Sequence, residues 1–337
     1  MLLGWLIPAG AQENFPLHGT NSAVRVVAVR EAGLLEAYLP AEARVEAAFN
    51  RGLTYFTEQG TVSNAWRSLV STNDVVGIKV FSTPGPVAGT RGAVVAAVVH
   101  GLMAAGLRAG QIIIWDRRES DLRGAGYFDL GRQLGVRVAG AAEAGYDTNT
   151  FYLPDSPVIG QLVWGDLEFG KTNPPSVGKR SFVSKLVSQQ MTKIVSVVPL
   201  MNENAAGLCG HFYSLALGSV DNTRRFESSP DRLAVALPEI YALPIIGDRV
   251  VLHVTDALLA QYQGGPEGYL QFSTVRNELW FSHDPVALDT IALKELMLQR
   301  RLLNVPPMPT NFAIYTNAVL LQLGVNDPSR IQIDKAP

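Results

Sequence analysis

The sequence predicts an α/β protein of two lobes, each built on a mostly parallel sheet, with a central crevice between them. Three observations carry this. Short apolar runs bounded by turn residues recur at 74–81, 111–115, 193–198 and 248–254, the form taken by strands buried on both faces. Segments with helical spacing separate them, and strand, crossover helix, strand is a right-handed parallel unit. Polar side chains crowd just past the ends of these runs, where open α/β sheets bind their ligands.

The elements follow in order. Residues 21–29 (NSAVRVVAV) alternate into an apolar run and predict a first strand. Residues 36–60 carry Ala, Leu, Val and Phe at helical spacing, with Pro40 early, where a helix tolerates it. The strand at 74–81 (DVVGIKVF) is broken only by Lys79. The turn STPGPVAGT at 82–90 leads into an apolar helix over 91–105, with Thr90 as its cap and Gly106 as its stop. The strand QIIIW ends at Asp116, and a helix near 131–134 precedes a strand at 136–139. This first Rossmann-like lobe spans 21–145. An irregular segment, 146–189, holds Pro154, Pro157, Pro174 and Pro175 and the basic residues Lys171, Lys179, Arg180 and Lys185; it predicts short antiparallel strands and loops. The second lobe, 190–337, predicts strands at 193–198, 248–254 and 278–281 and a helix over 231–243. Asp284 as N-cap and Pro285 as first residue open a long helix to about Arg301. A helix at 310–323 and a strand at 330–333 close the chain.

Composition narrows the function. The chain has 337 residues, 47% hydrophobic and 17% charged, enough to bury a large core. A formal net charge of -2 supplies no general attraction to nucleic acid or to an acidic membrane. Cys209 is the sole cysteine, which excludes an intramolecular disulfide, a Cys-rich zinc site and a Cys-ligated iron–sulfur cluster within one chain. Its plain role is that of a small buried apolar residue. No later apolar run is long enough to span a membrane. Residues 1–20 begin MLLGWLIPAGAQE, an apolar run ending in the small-x-small pattern Ala9-Gly10-Ala11 without a basic region ahead of it. This reads as a truncated signal peptide, which expects a periplasmic or secreted protein. A buried N-terminal strand in a cytoplasmic protein is the alternative.

The chemistry concentrates in 199–226, PLMNENAAGLCGHFYSLALGSVDNTRRF. Lys79, alone in an apolar strand, needs a partner and can serve as a base once desolvated. Asp116 ends the next strand and can face the same crevice, or pair with Arg117 or Arg118. His211 is a candidate base or metal ligand, Asp256 a candidate orienting group or cation ligand. Asn204, Tyr213, Asn222 and Arg224 are candidates to hold a carboxylate or phosphate, with Arg225 beside them. Asp284 reads as a cap, and Asp289 in the next turn complements the helix dipole. The turn at 82–90 matches neither GxxxxGK[ST] nor GxGxxG, so no nucleotide motif is present. Gly264-Gly265-Pro266-Glu267-Gly268 reads as a turn able to close over the crevice.

Several of these segments together resemble one prokaryotic family, called domain of unknown function 362. They are GIKVF around Lys79, IIIWDR around Asp116, the VPLMNENAAGLCGHFYSLALGSVDN stretch, VLHVTDALLAQYQGGPEG, SHDPVALDTIA and a closing LGVNDPSRIQI. The resemblance runs from about Asp74 onward, and it implies one domain over 21–337 and export from the cytoplasm. The family's Lys-x-His element is replaced here by Asn202-Glu203-Asn204, and the cluster-binding cysteines of some relatives are absent. The family is also similar at fold level to nickel-dependent lactate racemases, a likeness that does not carry nickel to this chain.

The expected function is an enzyme acting on a small polar or anionic substrate by proton transfer, in the manner of an isomerase or racemase. Lys79 or His211 would be the base, with Asp116 and Asp256 orienting groups or holding a divalent metal. The alternative is a non-catalytic periplasmic protein that binds the same class of ligand.

Overall fold

The computed structural model describes residues 23–154, 160–171, 177–227, 229–307 and 310–337. The signal-peptide reading of residues 1–20, and Pro157, Pro174 and Pro175, lie outside them. The main elements run β1 (Val24–Arg30), α1 (Glu42–Thr57), β2 (Val76–Lys79), α2 (Gly92–Ala104), β3 (Ile112–Asp116), α3 (Tyr127–Leu134), β4 (Arg137–Gly140) and β5 (Lys193–Met201). They continue with α4 (His211–Ser219), α5 (Pro230–Tyr241), β6 (Val250–Gln261), β7 (Ser273–Ser282), α6 (Pro285–Leu302), α7 (Phe312–Leu320) and β8 (Ile331–Lys335).

The α/β class and the mostly parallel pairing are as predicted. Strands from both halves of the chain join in one eight-stranded sheet, ordered β8-β1-β7-β6-β5-β2-β3-β4. Only β7 runs against its neighbours, β1 and β6. It is also longer than the four residues expected, because its first half, half-buried at the sheet's end, lacks the apolar pattern of a strand.

Helices cover both faces, which is why β2 and β3 are buried at every residue. The two-residue period of the strands divides their side chains. Ile78, Ile112, Ile114 and Val197 pack with Phe49 of α1 and Val94 and Val98 of α2. Ile113, Trp115 and Ile194 pack on the other face with Phe212 and Leu215 of α4 and Leu237 of α5.

Local signals fare unevenly. Asp284 caps α6 as expected, its Oδ1 accepting from Ala287 N at 2.8 Å. Thr90 does not cap α2, whose N-cap is Arg91 with no side-chain bond. The Thr90 hydroxyl accepts from Phe81 N at 2.9 Å and donates to Val197 O at 2.8 Å, tying the turn to the middle of the sheet. The 146–189 segment holds the expected short antiparallel pairs, Tyr146–Tyr152 with Ser181–Ser184 and Gly160–Gln161 with Val177–Gly178. Asp289 complements a different helix dipole from the one expected. Its carboxylate accepts from His211 N at 2.9 Å and Phe212 N at 3.3 Å, so α6 caps α4. Burial pushes that carboxyl up to about 7.

Candidate functional site

The strand register lays Trp115, Lys79, Ser196, His253 and Ser282 side by side across five neighbouring strands. Register partners emerge on one face of a sheet, so this is a buried polar row among apolar side chains. Helix α4 covers the row. His211, Ser214 and Gly218 are spaced by three and four residues and share one helical face. His211 Nδ1 and Ser196 Oγ are 2.8 Å apart, and the His211 ring lies 4.9 Å from that of His253. One turn on, Ser214 Oγ accepts from Lys79 Nζ at 2.8 Å. Another turn on, Gly218 lies against the Lys79 chain: a Cβ there would be 2.2 Å from Lys79 Cε.

Lys79 is fully buried, and each of its three ammonium protons has an acceptor: Val80 O at 2.7 Å, Asp116 Oδ1 at 2.8 Å and Ser214 Oγ. Burial pulls its pKa below the usual lysine value, and the Asp116 carboxylate opposes that pull. Asp116 is equally occupied. Its Oδ1 also accepts from Arg117 N at 2.8 Å, and its Oδ2 accepts from Ser82 N at 2.8 Å and Ser82 Oγ at 2.7 Å. Such a saturated ion pair holds its shape. Ser214 is the exception in this chain of bonds. Its oxygen accepts from Lys79, and its own proton has no protein acceptor among the described residues.

Ser214 and Asp116 line the buried end of a cavity of about 270 Å³, and Phe81, Tyr213 and Leu217 form apolar walls. Val163 of the irregular segment and Pro266 of the Gly-rich turn also reach it, so the cavity draws on both halves of the chain. Arg117 lines it but is paired, through Nη1 to Glu227 Oε1 at 2.7 Å and Nη2 to Thr223 Oγ1 at 2.6 Å. Arg118 and Arg224, both exposed, line the cavity, and their guanidinium groups make no hydrogen bond or ion pair among the described residues. Asp121 lines it too, its carboxylate accepting, among the described residues, only from Thr83 Oγ1 at 3.2 Å and Ser120 Oγ at 3.1 Å.

Of the residues singled out from sequence, Lys79, Asp116, Tyr213 and Arg224 gather here, Lys79 from beneath. The others do not line the cavity. His211 opens α4 and packs against the sheet, fully buried, and burial together with His253 holds its imidazole well below the usual histidine range. Asp256 forms a buried ion pair with Arg91, Nη1 to Oδ1 at 2.8 Å. Asn204 is exposed in the loop before α4. Asn222 is buried with φ 47°, its Nδ2 donating to Arg180 O at 2.8 Å. Arg225 turns inward and donates to Ser181 Oγ at 2.8 Å. Asp221 pins the irregular segment by accepting from Phe182 N and Leu167 N, each at 2.6 Å, and burial pushes it up to about 7. Cys209 is buried, in keeping with its plain reading. Among the described residues no three His, Cys, Asp or Glu side chains group as metal ligands, and no helix is long and apolar enough to cross a membrane.

Sequence reasoning did not select Ser214, Arg118 or Asp121 as site residues. The signal for Ser214 was present: His211, Ser214 and Gly218 recur at helical spacing in a largely apolar helix, which marks where the helix meets something polar. Gly218 gives that contact a direct test. Ala at 218 gains about 1 kcal/mol in helix propensity, but its methyl meets a lysine held by three hydrogen bonds. Urea denaturation of Gly218→Ala is expected to show a net loss of about 1–2 kcal/mol.

No family model matches the chain, and no curated protein matches it. The chain is similar to the crystal structure of a protein from Thermotoga maritima, with a TM-score of 0.42 and 10% identity. The match covers 79% of this chain and 60% of that one, so this chain spans less than two thirds of that protein's length.

Proposed function

We propose that this protein is an enzyme that acts on a small anionic substrate by proton transfer, in the cavity that Ser214 closes at its buried end. The carrying observation is the Ser214 hydroxyl, which accepts from the buried Lys79 ammonium and has its own proton left for a ligand. A hydroxyl polarised from behind by an ammonium is a charge-assisted donor, stronger than a neutral one. It faces a site walled by apolar groups, where such a donor stabilises developing negative charge most.

In an isomerisation or racemisation, removing a proton beside a carboxylate moves charge onto the carboxylate oxygens. The α-proton would leave to solvent water at the open side of the cavity, Ser214 would give its own proton to the carboxylate oxygen as charge builds there, and Lys79 would replace that proton on the Ser214 oxygen. Asp116 keeps Lys79 in place and balances its charge. Arg118 and Arg224 supply the open cationic groups that hold the substrate's anion.

The test is exchange of the α-hydrogen of small carboxylates with solvent deuterium, followed by proton NMR. The parent protein is expected to wash deuterium into a bound carboxylate. Ser214→Ala is expected to slow this by about 10²–10³-fold, the usual effect of removing one oxyanion donor, and to lower stability by about 1–3 kcal/mol, because one proton of the buried Lys79 ammonium loses its acceptor. A protein that only binds would hold the carboxylate without exchange, and Ser214→Ala would lower affinity alone; that result rejects the enzymatic reading.

A further inference from the structure

The charges that line the cavity sort into two groups, and the sorting defines a substrate class. Lys79 is matched by Asp116, and Arg117 by Glu227. Three charged side chains remain without an ion-pair partner among the described residues: Arg118, Arg224 and Asp121. We infer that the cavity takes a zwitterion of the amino-acid class, its carboxylate on Arg118 and Arg224 and its ammonium on Asp121. This rests on the reading of the cavity as a site for a small anion.

Other charge types fit less well. A simple monocarboxylate would satisfy the arginines but share the cavity with an unneutralised Asp121. A dianion would meet that same carboxylate with only two open guanidinium groups to offset it. A plain amine would meet both guanidinium groups. An amino acid answers all three side chains, leaving no like charges in contact. Asp121 is also aimed. Thr83 Oγ1 holds one of its oxygens and Ser120 Oγ the other, which fixes the carboxylate while leaving each oxygen a further lone pair for an ammonium. Phe81, Val163 and Leu217 offer an apolar wall to a short side chain. The volume, about 270 Å³, falls just below the roughly 300–1,000 Å³ of sites for drug-sized ligands.

Titration calorimetry on the whole chain tests this with two matched pairs of probes, alanine with propionate and valine with isovalerate. Each pair differs only in the ammonium group. The parent protein is expected to bind at least one amino acid tenfold or more tighter than its partner acid. Asp121→Asn is expected to erase that preference, leaving the plain acid bound as well as before or better. Asp121 is not buried, so this variant keeps its fold, checked by its melting temperature. If the plain acids bind as tightly as the amino acids, or if Asp121→Asn leaves the preference intact, the zwitterion inference falls while the anion site stands. If no carboxylate of either kind binds, both fall together.

Discussion

Lys79→Met is expected to lower the free energy of unfolding by about 3–5 kcal/mol at neutral pH, the range for breaking a buried ion pair from one side. Methionine fills most of the lysine's volume, so the loss is electrostatic rather than a cavity effect. What it leaves is the Asp116 carboxylate, 4% exposed, with its ammonium gone and only the donors from Ser82 and Arg117 remaining. Two controls identify the cause. First, a carboxylate can be neutralised by a proton. The deficit relative to the parent should therefore shrink as the pH is lowered toward about 4, where carboxyl groups take up protons. Second, Lys79→Met combined with Asp116→Asn should be more stable than Lys79→Met alone, because the amide carries no charge and its oxygen still accepts from one of the two backbone N–H groups, that of Ser82 or that of Arg117. Removing Asp116 entirely would be a poor control, since it would strand the Ser82 and Arg117 amides. Urea denaturation at pH 7 and pH 4 measures both effects. A deficit that does not change with pH would mean that packing, not charge, is what Lys79 provides.

The behaviour of single residues explains what was legible in the sequence. Lys79 was legible because a charge inside an apolar strand must have a partner, and Asp116, one strand over in the same parallel unit, was the nearest candidate. Asp284 was legible because capping is local chemistry. The α/β class was legible because each buried strand announces itself. The order of the strands was not, because β1 sits between β8 and β7, elements more than 240 residues away in the chain. His211 misled for a physical reason. A histidine in a polar, glycine-rich stretch looks exposed, yet here the glycines let α4 lie close on the sheet, and the imidazole fills a slot between Ser196 and His253. Asn222 misled likewise, since its side chain serves a turn. Arg118 and Asp121 were passed over because nothing local separates an arginine or aspartate lining a cavity from one on open surface.

Asp256 bears most directly on where the chemistry lies, and Asp256→Ala is expected to destabilise the fold by about 3–5 kcal/mol or more, without the relief at low pH expected of Lys79→Met. Asp256 is fully buried and accepts from Arg91 Nη1 at 2.8 Å, Arg91 N at 3.0 Å and Leu258 N at 3.2 Å. Arg91 is 1% exposed, and its Nε and Nη2 already lack acceptors among the described residues. Alanine at 256 would leave that guanidinium buried with no acceptor at all. A guanidinium does not give up its proton at any working pH, so acid cannot rescue it as it rescues a stranded carboxyl. Arg91→Met together with Asp256→Leu should recover part of the loss. It cannot recover all of it, because the Arg91 and Leu258 amides lose their acceptor in either case. If Asp256 were instead a catalytic group, Asp256→Ala would unfold at the parent's urea concentration and fail only in deuterium exchange. That outcome would move the chemistry from Ser214 to the far side of the central strand.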